Sequence, residues 1–392
     1  MLISLLKIEN LFKFLLLCWC ISIPFKNAFY QLSTFSIVLF FLISLFNKNN
    51  FNFFKALLMK YKDVYYALIF IFLSMTISNI INDVYDTKAY HLELMFFLRY
   101  VLVSILLIYF YLKFFFTKTN LLTFILISVS IQSLDGLYQA IYGIDFFKSN
   151  IGDLGVHGLT GATFNRNTFG FIMGSAVLIL ILYYQKIFLL EKNKILFFLM
   201  FLLFSFNILF SYSRAVWLSL FISIVFLFFI NKSMLKKNII YLIIFSMVLI
   251  MIFINYHPLY HRLYLLLNGF SADRFMIWSE AIRLINESIL FGYGIDTWKA
   301  NGVKNFASIH NSFLEIFYYL GSLGVFSFSY LLYLTIREIY KEKRFLLFVL
   351  LVYFFVNSQF DQSIITSKIF LSILTIFMFF VFCNRIEKTK YS

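Results

Sequence analysis

Proline, cysteine and charge are all scarce in this chain: two prolines and three cysteines in 392 residues, with only 13% of residues charged. So little proline leaves long helices uninterrupted. Cys18 and Cys20 lie in the first apolar run and Cys383 in the last, a spacing that suggests neither a disulfide framework nor a metal site. Also missing are the segments of about ten alternating polar and apolar residues that build a membrane barrel. Apolar residues run on without alternation instead. Hydrophobic residues make up 62% of the chain and aromatic ones 22%, against roughly 45–50% apolar usage in soluble domains. Since lipid admits only helices or closed barrels, the expected fold class is an all-α integral membrane protein.

Stretches of about 20 apolar residues, the length that spans a bilayer, fall near 11–27, 29–46, 64–82, 94–115, 120–142, 168–185, 194–212, 215–231, 238–255, 311–336, 345–358 and 368–383. The reading is one polytopic membrane domain over 1–392, of about twelve transmembrane helices. The run after Lys13 leads into "CWCISIPF" without a small-residue cleavage site, so it reads as a retained helix rather than a cleaved signal. The formal net charge of +15 does not form a basic stripe for nucleic acid. With both termini in the cytoplasm, the clusters "NKNNFNFFKALLMKYK", "KIFLLEKNK", "NKSMLKKN", "REIYKEKR" and "NRIEKTK" all fall on the inner side, as the positive-inside rule expects.

That orientation places all five histidines in or beside outward segments, the longest of which are 143–167 and 256–310. The second is a large loop between spans nine and ten. Within it, "DRFMIWSEAIRLINESILFGYG" puts Phe275, Trp278, Ile282, Ile285 and Ile289 at helical spacing, an amphipathic helix suited to a membrane interface. Chemistry is expected outside.

The next span begins "SIHNSFLEIFYYLGSLGV". On a regular helix Gly321 returns to within about 20° of His310, Gly324 lies about 40° to the other side, and Glu315 points about 140° away. The glycines then read as close-packing positions beneath an imidazole at the outer mouth, and Glu315 is not paired with it. Asn311 or Ser308 reads as a helix cap. Arg214, in the short turn "SYSRAVW", and Arg274, at the start of the amphipathic helix, are outer cations. A guanidinium donates two parallel hydrogen bonds to phosphate. Taken singly, each also reads as an interfacial charge or a side chain at a helix end.

Weaker candidates complete the survey. The segment "GLTGATFNRNTFG", with Asn165 and Asn167, reads as a backbone nest for an anion or as an ordinary glycine turn. His257 and His261 stand four apart without a third ligand, so no metal is expected. Arg99 and Asp135 are intramembrane charges that face the bundle and pair, possible partners for each other.

Together these stretches resemble the O-antigen ligase family, within a superfamily that also holds O-antigen polymerases and protein O-oligosaccharyltransferases. The family's signature is His, then Asn, Ser or Gln, nine residues, Gly, two residues and Gly, Thr or Tyr. His310, Asn311, Ser312 to Leu320, Gly321 and Gly324 fit it without a gap. "SYSRAVWLSL" resembles the family's Ser-Arg turn, and "DRFMIWSEAI…ILFGYGIDTW" resembles its Arg-x-x-x-Trp and Gly-x-Gly stretch, with Ser288 where proline is common.

The resemblance implies a GT-C-like fold and a glycosyltransferase of the bacterial inner membrane with a periplasmic active site. It implies a donor glycan on undecaprenyl pyrophosphate, a lipid A-core acceptor or another glycan or protein hydroxyl, and no cofactor. It implies His310 as the base and Arg214 and Arg274 as holders of the pyrophosphate, while Asp361 in "SQFDQS" resembles an outer acidic residue of the ligases. A polymerase or protein O-oligosaccharyltransferase is the near alternative, and a transporter or flippase the alternative of a different class. No repeat or broken helix of the transporter kind is visible in the sequence.

Overall fold

The computed structural model describes residues 2–25, 27–84, 87–147, 151–152, 154, 157–187, 194–230, 256–267, 274–302, 306, 308–360 and 363–383. Its helices in chain order are α1 (Leu2–Ser22), α2 (Asn27–Leu45), α3 (Lys48–Lys60), α4 (Lys62–Ile81), α5 (Thr87–Phe96), a π-helical stretch (Phe97–Leu102), α6 (Val103–Leu112), α7 (Lys118–Tyr142), a 3-10 turn (Gly161–Thr163) and α8 (Arg166–Ile187). They continue with α9 (Lys194–Phe210), α10 (Arg214–Ile230), α11 (His257–Leu267), α12 (Arg274–Glu287), α13 (Trp298–Asn301), α14 (Ser312–Lys341), α15 (Phe345–Ser358) and α16 (Lys368–Phe382). No strand occurs among the described residues. The helical stretches 28–45, 62–81, 88–112, 118–142 and 312–341 are long and apolar enough to cross a membrane; those at 166–182, 195–210, 214–230, 345–358 and 368–382 are apolar but shorter. The expected ninth span, 238–255, lies outside the described residues.

Helix α3 is an addition to the sequence reading, which took its residues as a basic connecting segment. Asn47 caps it by accepting the Asn49 N–H. Asn49, Asn52, Lys55 and Lys60 are exposed while Leu57 is buried, so the segment is a helix with a polar face rather than a loop.

The chain forms two compact units, residues 1–124, 273–343 and 362–392 in the first and 125–272 and 344–361 in the second. In the first, aromatic rings fill the space between α1, α2 and α6: Phe12 lies 4.0 Å from Phe110, and Phe41 meets Tyr109 edge-on at 5.2 Å. The π-helical stretch carries Arg99, whose guanidinium lies 5.0 Å from the centre of the Tyr30 ring. Arg99 is buried, and among the described residues no carboxylate pairs with it. In the second unit, Tyr353 of α15 stacks on Phe171 of α8 at 5.6 Å and donates its hydroxyl to the Phe171 carbonyl. The buried Asp135 accepts the N–H of Phe146 at 2.8 Å. Each intramembrane charge thus has a local setting that the proposed Arg99–Asp135 pairing did not foresee.

Helix α14 is not continuous. Gly321 has φ 63° and ψ −161°, a backbone region that essentially only glycine visits. The sequence reading found no broken helix, and the structure corrects it. Glycine alone tolerates that conformation, and the surrounding polar groups make the break stable.

Candidate functional site

Two glycines and a loop build the break. In an unbroken helix the Tyr318 carbonyl would accept the Ser322 N–H and the Tyr319 carbonyl the Leu323 N–H. Here the Tyr318 carbonyl accepts the N–H of Tyr293 at 2.8 Å and the Tyr319 carbonyl that of Gly294 at 3.0 Å. The Ser322 N–H and hydroxyl both turn to the Ile289 carbonyl, each at 2.8 Å. Backbone polar groups freed inside an apolar segment must find partners within the protein, and the 289–294 loop supplies them. The last turn of α4 completes the seam: the Ser78 hydroxyl donates to the Tyr319 carbonyl at 2.6 Å, Asn82 donates to the Gly292 carbonyl at 3.0 Å, and the Asn79 side chain accepts the Ile295 N–H at 2.8 Å. Lys88 and Asp296 form an ion pair beside it.

This corrects the role assigned to the glycines. A Cβ on Gly321 would lie 2.3 Å from the Leu290 carbonyl oxygen, and one on Gly292 would lie 2.6 Å from the Tyr318 oxygen. Two backbones, not two helices, meet there. Gly324 is crowded by its own helix, since its Cβ would come 2.3 Å from that of Leu320. Ser288, where the family resemblance leads one to expect proline, donates its N–H to the Ile285 carbonyl at 3.1 Å and its hydroxyl to the Gly292 carbonyl at 2.7 Å. Proline could make neither bond, so the serine closes the turn by a different means.

At the head of α14 the cap is Asn311, whose side-chain oxygen accepts the Leu314 N–H at 3.0 Å. Asn311→Ala should lower stability by about 1 kcal/mol, read as a fall in the thermal midpoint of the purified protein. His310 lies just outside the helix with φ 55°, a left-handed conformation uncommon for any residue with a Cβ. The wheel geometry assumed that His310 was helical; because it is not, Glu315 is not turned away from it. The Glu315 carboxyl is 3% exposed, hydrogen-bonded to the Ser363 side chain and within electrostatic range of the His310 imidazole.

Arg274 begins α12 and is half-buried. The inward face of that helix is Ile277, Ala281, Leu284 and Ile285. Phe275 and Ile282, on the apolar face expected at a membrane interface, are 69% and 50% exposed, as is Ile289 just past the helix at 48%. The opposite side carries Arg283 in ion pairs with Glu280 and Glu287. Helix α12 thus has three faces where the sequence suggested two. Tyr293 donates its hydroxyl to Glu287 at 3.0 Å. Burial and that hydrogen bond push the phenol up to about 12, so it stays protonated and is no general base at neutral pH.

In the second unit Arg214 begins α10 after the turn Ser211–Ser213. The turn is clamped from two sides, by the Trp217 indole N–H on the Ile208 carbonyl at 3.1 Å and by the Leu159 N–H on the Phe210 carbonyl at 2.8 Å. The side-chain oxygen of Gln139 accepts the N–H groups of Thr160 and Gly161 at 2.8 and 3.0 Å. In the glycine-containing segment read as a possible anion nest, the N–H groups of Leu159, Thr160 and Gly161 are therefore already used inside the protein. Asn165 is the cap of α8, accepting the Asn167 N–H at 2.8 Å, and Asn167 sits in the first turn. Gln139 was missed by the sequence reading, although Gln132, Asp135 and Gln139 recur at the i, i+3, i+7 spacing of one helix face, and all three are buried. His257 and His261 lie on one face of α11 with parallel rings 6.4 Å apart. Among the described residues, no group of three or more His, Cys, Asp or Glu is placed to hold a metal. Asp361 lies outside the described residues.

Arg214, Arg274, His310, Gly321 and Gly324 all lie in one stretch that a family model covers. Residues 199–329 match the family model described as O-antigen ligase. Over that stretch, about a third of the chain, the sequence is similar to the O-antigen ligase family. A comparison with curated proteins finds no match. Members of this ligase and polymerase type of family are glycosyltransferase-like enzymes.

Proposed function

We propose that this chain is an O-antigen ligase that transfers a glycan from undecaprenyl pyrophosphate to lipid A-core at the periplasmic face of a bacterial inner membrane. The observation that carries the reading is His310, held in a left-handed backbone conformation at the head of a broken apolar helix, inside the family stretch. A transfer outside the cytoplasm has no nucleotide sugar to draw on, so its donor must arrive activated. A polyprenyl pyrophosphate meets that need.

In the proposed reaction His310 takes the proton of the acceptor hydroxyl, a task suited to an imidazole with a reference pKa of about 6.5. The acceptor oxygen forms a bond to the anomeric carbon as the bond from that carbon to the phosphate oxygen breaks. The electron pair leaves with undecaprenyl pyrophosphate, and configuration inverts. Arg214 and Arg274 hold the pyrophosphate, where fixed cations stabilise the charge that builds on the leaving group. Neither a metal nor a covalent enzyme intermediate is required. Asn311, Gly321 and Gly324 support the base, and Asn165 and Asn167 fix the start of α8. Asp361 keeps the supporting role that the family resemblance suggests.

The spacing of the histidine signature favours a ligase over a polymerase or protein O-oligosaccharyltransferase. For a transporter, the break in α14 is the relevant feature, because broken helices bind ions through free backbone groups. At Gly321 the carbonyls of Tyr318 and Tyr319 and the N–H of Ser322 have partners in the 289–294 loop and α4, which favours an enzyme scaffold. Deletion of the gene should leave core lipopolysaccharide without attached glycan on gels; a single attached unit would indicate a polymerase instead. Transfer by the purified protein should persist in EDTA, and a loss restored by a divalent ion would contradict the metal-free reaction.

A further inference from the structure

The chain before His310 is held by a residue that has no assigned role. Trp278, in the second turn of α12, donates its indole N–H to the carbonyl of Ile309 at 3.1 Å. Ile309 is fully buried, and its carbonyl belongs to the peptide unit that supplies the N–H of His310. On the other side of His310, Asn311 is fixed to α14 twice. Its side chain accepts the Leu314 N–H at 3.0 Å and its carbonyl accepts the Glu315 N–H at 2.8 Å. His310 is therefore gripped at both neighbouring residues while its own φ is 55°.

A residue with a Cβ held at positive φ returns to the ordinary region unless its surroundings prevent it. The Asn311 cap fixes only the helix side. The indole fixes the other, and its rigid ring, with one donor at a set position, suits that task. Trp278 also stands four residues after Arg274 on one helix, and such pairs share a face. The helix that begins with the proposed phosphate-binding arginine thus also sets the backbone of the proposed base.

We propose that Trp278 is a positioning residue for His310: its N–H to the Ile309 carbonyl keeps His310 in the left-handed conformation and ties the imidazole to the helix that begins at Arg274. This rests on the reading of His310 as the base. The bond contributes orientation rather than affinity, so its loss lowers turnover and leaves donor binding in place.

The test measures transfer by the purified full-length protein from a polyprenyl-pyrophosphate-linked oligosaccharide to lipid A-core, expressed per folded protein as judged by size exclusion. W278F keeps a ring and removes the N–H. Its kcat should fall at least tenfold while KM for the donor stays within about twofold. Replacing Trp278 by benzothienylalanine keeps the bicyclic shape and exchanges the N–H for sulfur; it should reproduce the fall even if W278F folds poorly. Wild-type kcat in the benzothienylalanine protein overturns the proposal, and so does a fall wholly accounted for by lost folded protein. H310A separates the two readings. If H310A retains transfer, the base assignment fails; if H310A is inactive and the benzothienylalanine protein turns over normally, only the positioning role fails.

Discussion

His310→Ala should abolish glycan attachment while the protein remains in the membrane and lipid-linked precursor accumulates. Removing a general base typically lowers the rate by about 10²–10⁴-fold, which in a gel of lipopolysaccharide reads as loss of the glycan ladder. The fold should tolerate the change, because the cap and the break are made by other residues: Asn311 holds the start of α14, and the loop 289–294 holds Gly321. Alanine also carries a Cβ, so the strain of φ 55° at position 310 is not relieved, and stability should stay close to wild type or fall slightly. Full attachment in this variant would remove the imidazole from the reaction.

Gly321→Ala should do the opposite, damaging the structure first and activity as a consequence. The backbone conformation at 321 costs about 1–3 kcal/mol for a residue with a Cβ. The new methyl would lie 2.3 Å from the Leu290 carbonyl oxygen and 2.5 Å from the Phe291 nitrogen, and overpacking against backbone adds about 1–3 kcal/mol more. Backbone atoms cannot move aside as a flexible side chain can. The variant should therefore show a large fall in thermal midpoint and in folded yield, with transfer lost in parallel. A G321A protein of wild-type stability would mean that the 289–294 loop is not seated on the break as described.

Much of the fold was legible because apolar runs are long and plain: expected boundaries such as 64–82, 120–142 and 345–358 meet helices Lys62–Ile81, Lys118–Tyr142 and Phe345–Ser358. Periodicity failed where backbone departs from a regular helix. A 100° wheel drawn through His310 and Gly321 assumes one helix, yet the first residue lies before the cap and the second interrupts the helix. Both departures come from long-range hydrogen bonds, Trp278 to Ile309 and Tyr293 to Tyr318, which a local pattern does not encode. The glycine spacing signalled that something close-packed was there. It did not say whether that was a helix or a loop. For α12 the spacing of Phe275, Ile282 and Ile289 showed an apolar stripe, but only the packed structure reveals that a neighbouring face, Ile277, Ala281 and Leu284, is the one buried.

The central claim is that the arginines at 214 and 274 serve one bound pyrophosphate while the imidazole at 310 serves the acceptor. Titration of undecaprenyl pyrophosphate into wild-type protein, R214A, R274A, the double variant and H310A tests it most directly. The account predicts tenfold or greater weakening in each arginine variant, a double variant whose loss is not the sum of the two, and unaltered binding in H310A. Wild-type affinity in either arginine variant would contradict it.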